Sequence, residues 1–175
     1  MPRPRVVVLG YGNPSRGDDG LGPALAGRLA GWAAAVADRC ELEVIEDFQL
    51  QVEHALDLED RDLALFLDAS VAAAAPWTFR RLRPQADPTT TTHELSPAAV
   101  LQVYRDIHGS PPPPSYLLSV RGLSFGLGAP LGPEARRHLE SAWLLLQRLL
   151  EDPSREAWDG LGEPAARERP CTNCP

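Results

Sequence analysis

The stretch Val6-Val7-Val8-Leu9-Gly10-Tyr11-Gly12-Asn13-Pro14-Ser15-Arg16-Gly17-Asp18-Asp19-Gly20-Leu21-Gly22 constrains this chain more than any other. Its leading run of valines and leucine reads as a strand buried on both faces, as strands of a parallel sheet are. Gly, Asn and Pro then turn the chain sharply. A helix is expected over 20–37, with Pro23 tolerated in its first turn. Two adjacent carboxylates, Asp18 and Asp19, stand at the mouth of that helix. A helix N-terminus favours negative charge. Two acids beside a glycine turn, just past a strand end, also suit a cation.

Two common uses of such a turn are excluded. A dinucleotide fingerprint needs a third glycine where Ser15 stands, and paired acids would repel a pyrophosphate. A phosphate-cradling loop needs Gly-Lys-Ser/Thr, which this stretch lacks. The turn therefore suits something positively charged.

The remaining periodicity predicts strands over 41–46, 63–68, 77–82 and 116–120, and helices over 49–58, 97–107 and 133–151. The run Leu63-Ala64-Leu65-Phe66-Leu67-Asp68 is a buried central strand that delivers a carboxylate at its C-terminal end, where ligands gather in open α/β sheets. Strand 77–82 has no helix before it and is expected at an edge, antiparallel. Strands alternating with helices give a three-layer αβα sandwich with a mainly parallel sheet. A chain of 175 residues, 43% of them hydrophobic, supports one core. A single domain is expected over 1–151. Charge, proline and glycine dominate 152–175, which is expected to be a flexible tail.

Net charge is −7, which argues against nucleic acid or an anionic membrane as partner. No apolar run approaches a bilayer span. The opening Met1-Pro2-Arg3-Pro4-Arg5 has no signal-peptide layout, so a cytoplasmic protein is expected. Cys40 reads as a small buried hydrophobe. Cys171 and Cys174 form a tail Cys-x-x-Cys, which is half of the usual zinc ligand set.

Gly10-x-Gly12-Asn13, followed after five residues by Asp19-Gly20-x-Gly22, resembles the hydrogenase maturation endopeptidases. These clip a C-terminal peptide from the large subunit of nickel–iron hydrogenases once nickel is inserted. The family has a twisted five-stranded sheet between helices. It binds nickel through the acid after the glycine turn, an acid ending the third strand, and a histidine before the third helix. The resemblance carries these roles, catalytic and metal-binding, to Asp19, Asp68 in Leu67-Asp68-Ala69, and His93 in Thr92-His93-Glu94-Leu95-Ser96-Pro97. It implies an aspartyl-type endopeptidase acting on the nickel-loaded precursor of a NiFe hydrogenase large subunit. Nickel would be carried by the substrate, with no organic cofactor. The protein would be a monomer that docks transiently. Asp47-Phe48-Gln49-Leu50-Gln51-Val52-Glu53-His54 stands where many members carry a glycine–threonine-rich turn. That places the chain nearer the proteases serving soluble NAD(P)-linked hydrogenases.

On chemistry alone, two carboxylates and an imidazole form a borderline-to-hard donor set for Ni, Zn, Mn or Fe(II). The other candidates have plainer readings. Asp18 caps the first helix, Asn13 shapes the loop and Arg16 is solvated. His54 is a surface or partner-contacting residue, His108 sits at a helix C-terminus, and His138 lies on the charged face of the last helix. No Gly-x-Ser-x-Gly elbow and no His-Glu-x-x-His occurs, so water is the expected nucleophile. Two alternatives stand beside the peptidase: a non-catalytic nickel-dependent checkpoint or chaperone on the same fold, and an enzyme binding a small ligand at the glycine turn.

Overall fold

A computed structural model describes residues 2–87 and 94–162. Five strands, β1 (Arg5–Tyr11), β2 (Glu41–Asp47), β3 (Leu63–Ser70), β4 (Trp77–Leu82) and β5 (Ser115–Arg121), form one sheet in the order β2-β1-β3-β5-β4. All neighbours are parallel except β4, which runs antiparallel to β5 at the edge. The helices are α1 (Leu21–Trp32), α2 (Pro97–His108), α3 (Pro133–Glu151) and α4 (Arg155–Leu161). The expected sandwich is therefore present. Segment 49–58 forms a 3₁₀ helix, Val52–Leu58, rather than an α-helix.

Period-two alternation divides the core. Val6, Val8, Leu65 and Leu67 face α1 and α3, whereas Val7, Leu9, Ala64 and Phe66 face α2 and Val52–Leu58. β3 is buried along most of its length because it lies in the middle of the sheet with a layer on each face. β2 lies at an edge, which explains its partly exposed alternation.

The glycines of the opening motif close the β1–α1 junction. A Cβ at Gly22 would stand 2.8 Å from the Leu67 carbonyl oxygen and press on that of Tyr11, so only glycine lets α1 start against the ends of β1 and β3. Gly22→Ala is expected to cost about 2 kcal/mol, the usual scale of an overpacked core position, measured by urea denaturation. Unchanged stability would show that the junction yields.

Two expectations need correction here. The chain does not lose structure at 152. Ser154 caps α4 through a hydrogen bond from the Ala157 N–H, and α4 buries Trp158 completely. Residues 163–175, with Cys171 and Cys174, lie outside the described residues. His138 is not on the charged face of α3. It falls on the buried stripe Ala135, His138, Ala142, Leu145, Leu149, and its Nδ1 lies 2.8 Å from the Arg121 carbonyl oxygen, so Nδ1 carries the proton and donates.

Candidate functional site

From β1 the chain crosses to β2 on one side, and β3 joins β1 on the other. The sheet's switch point therefore lies between β1 and β3, and the crevice beyond their carboxyl ends is where such sheets bind ligands. A cleft of about 430 Å³ opens there. Asp19 and Asp68 both line it, together with Tyr11, Gln49 and Glu94.

Asp19 arrives from the glycine turn. Gly12, at φ +143°, lets the turn fold against the Asp19 backbone. The Asn13 N–H donates to Asp19 Oδ2 at 2.7 Å, and Asn13 Oδ1 accepts from the Ser15 N–H at 2.9 Å. Asn13 thus shapes the loop, and it also fixes one oxygen of Asp19. Arg16 is exposed, as expected.

Asp68 is delivered by β3, level with Ser119 of β5. Burial pushes its carboxyl up to about 6. The Tyr11 hydroxyl and the Ala69 N–H oppose that rise, while the negative charges of Asp19 and Glu94 add to it. Burial and the neighbouring Asp68 charge in turn hold the Tyr11 hydroxyl well above its ordinary range. A carboxylate with this history gains from any positive charge placed beside it.

Asp18 and Asp19 are adjacent but do different work. Asp18 does not cap α1. Its buried carboxylate reaches across to segment 122–132 and accepts from the N–H groups of Leu123 (2.7 Å), Ser124 (3.0 Å) and Gly132 (2.9 Å). Burial alone would raise this carboxyl, but the three donors outweigh it and hold the group below its usual range. His54 is not a surface residue. It is buried, its Nδ1 accepts from the Gln51 N–H at 2.8 Å, and Nε2 lies 3.3 Å from Asp47 Oδ2. It braces the segment that carries Phe48, which is 68% exposed at the cleft edge. His108 pairs with Glu59 at 3.2 Å, and Cys40 is buried.

His93 lies outside the described residues. Its neighbour Glu94 lines the cleft. Among the described residues, no group of three His, Cys, Asp or Glu side chains is close enough to hold a metal ion. Asp19 and Asp68 both bring carboxylate oxygens, hard donors, to one crevice. Glu94 and Tyr11 were not singled out in the sequence. Glu94 directly follows the candidate histidine, and Tyr11 is the variable residue between two motif glycines, and those positions are the signal by which each could have been found.

No family model and no curated protein sequence matches this chain. Solved structures do. The NiFe hydrogenase maturation protease HycI from Thermococcus kodakarensis KOD1 superposes with a TM-score of 0.64 at 21% identity, covering 86% of this chain and 94% of its own. The chain has the hydrogenase maturation protease fold. The hydrogenase maturating endopeptidase HybD from Escherichia coli gives a TM-score of 0.63 at 24% identity, covering 84% and 93%. An endopeptidase from Escherichia coli determined in solution gives 0.61 at 26% identity over 84% and 93%. These neighbours are matched over nearly their full lengths. Among the described residues, no helix is long and apolar enough to cross a membrane.

Proposed function

We propose that this chain is an endopeptidase that removes a short C-terminal peptide from the nickel-loaded precursor of a NiFe hydrogenase large subunit. The observation that carries this reading is the meeting of Asp19 and Asp68 in one cleft at the switch point of a fold shared with proteases of that name. Nickel in the precursor is the substrate's own cargo, met by the two carboxylates and by His93. Its positive charge would offset the burial and the neighbouring negative charges that raise Asp68.

The chain's residues account for a hydrolysis without a covalent intermediate. Cys40 is buried against Val36, so its thiol is no nucleophile for a bulky substrate. Water takes that role. Asp68 is ionised at neutral pH, and its carboxylate oxygen that does not face nickel is the group placed to take a proton from it. Asn13 holds Asp19 in position, and Phe48 and Gln49 stand at the cleft edge to meet the precursor. The Asp47–His54 segment favours a precursor from a soluble NAD(P)-linked hydrogenase, in the cytoplasm.

Ser96, which lines the cleft, has its hydroxyl committed to Asp87 and to capping α2, and this favours the checkpoint reading as the second choice. One assay separates the two. Purified protein is mixed with nickel-loaded and nickel-free precursor, and intact masses are read. Mass loss in the loaded sample alone is expected. Binding without mass loss would establish the checkpoint.

The same site sets a pH dependence. Ligation needs Asp68 ionised, and protons compete for it below about 6. Affinity for Ni(II), measured by calorimetry, is expected to fall roughly tenfold per pH unit below that value and to level off above it. A flat profile would remove Asp68 from the ligand set.

A further inference from the structure

At the opposite end of the sheet, a groove of about 500 Å³ is lined by Arg81 of β4, Arg83 just beyond it, Arg105 of α2 and Arg155 of α4, with Pro111–Pro114 as a wall. Its floor includes Ser115, the first residue of β5. That is four residues before the level of Asp68, or roughly 13 Å along the strand. The groove is therefore separate from the cleft.

In a chain of net charge −7, four arginines from three distant segments converge here, and among the described residues no acid lines the groove. Asp159 bonds Arg81 at 3.0 Å and Arg155 at 3.4 Å, which fixes both guanidinium groups. Arg83 and Arg105 have no ion pair among the described residues and are exposed. We infer that this groove docks a short segment of a partner protein in which carboxylates alternate with apolar side chains.

Three features favour that occupant. Guanidinium groups match carboxylates in fork geometry, and spaced arginines read spaced acids. The proline wall has no N–H groups to cradle a small phosphate, but its half-buried rings offer apolar contact. The protein's overall negative charge repels a long polyanion such as nucleic acid, while a short segment feels mainly the local field.

The test uses the full chain and fluorescence anisotropy. Probes are a short labelled peptide alternating glutamate and leucine, its lysine–leucine counterpart, an oligothymidylate, and unlabelled inorganic phosphate as competitor. Saturable binding of the acidic peptide alone is expected, weakened by salt. It should fall about tenfold in Arg83→Glu and further in Arg83→Glu/Arg105→Glu, two exposed positions whose variants are checked for unchanged thermal melting. Asp68→Asn should bind the peptide as the parent does, which keeps this result independent of the cleft. No saturable binding, or binding indifferent to both arginines, would overturn the inference. Preference for oligothymidylate would replace it with a nucleic-acid site, and displacement by equimolar phosphate would replace it with a small-anion site.

Discussion

Asp68→Asn is expected to abolish precursor processing while making the free protein more stable. The two effects have one cause. Burial and the charges of Asp19 and Glu94 hold the Asp68 carboxyl at about 6, above its ordinary 3.8. The folded protein thus binds that proton more tightly than the unfolded chain. The group's contribution to stability is fully present below its unfolded value and is lost as pH rises through about 6. At neutral pH the ionised carboxylate is a cost, which a neutral amide of the same shape removes. A rise of a few degrees in Tm near pH 7.5 is expected, shrinking towards zero below about pH 4. Processing of nickel-loaded precursor should fall by about 10²–10⁴-fold, the scale for a lost acid–base group. Retained processing would remove Asp68 from the site. Lost processing with a lowered Tm would make Asp68 a structural residue.

Trp158→Ala should be the most destabilising single change outside the sheet. The indole is fully buried, packs edge-on against Tyr116 at 5.2 Å and Phe79 at 6.5 Å, and its Nε1 donates to the Leu149 carbonyl oxygen at 2.8 Å. Truncation leaves a large cavity and removes that carbonyl's donor, for a loss of about 4 kcal/mol. The Tyr116 hydroxyl, bonded to Asp159 Oδ1 at 2.8 Å, would lose its anchor as α4 detaches. A chain ending at Glu151 should show a similar loss in a urea melt. Parent-like stability in either variant would mean that α4 contributes nothing to the fold.

The contrast between these residues shows what the sequence reveals. Asp19 and Asp68 were legible because each follows an unmistakable local signal: a buried apolar run, then glycines or a strand end. Sheet topology then brings the two together. The helix carrying Trp158 was not legible. Seven residues with one anchoring aromatic, set among charges and proline, give no periodicity, and only tertiary contact with Phe79 and Tyr116 makes the helix. His54 and His138 were misread for a related reason. His54 bonds the Gln51 N–H and Asp47, and His138 the Arg121 carbonyl oxygen, partners that no spacing rule predicts. His93, the third member of the candidate site, still rests on resemblance to the family.

Asp18 has a consequence for anyone mapping this site by mutation. An acid-to-alanine scan would score it beside Asp19 as a loss of function, although it never faces the cleft. Its three backbone bonds hold segment 122–132 against the glycine turn, and that turn holds Asp19. A screen reading activity alone would therefore count three acids where the chemistry uses two, Asp19 and Asp68. Proteolytic susceptibility would separate them: Asp18→Ala should open segment 122–132 to cleavage, and Asp19→Ala should leave it intact.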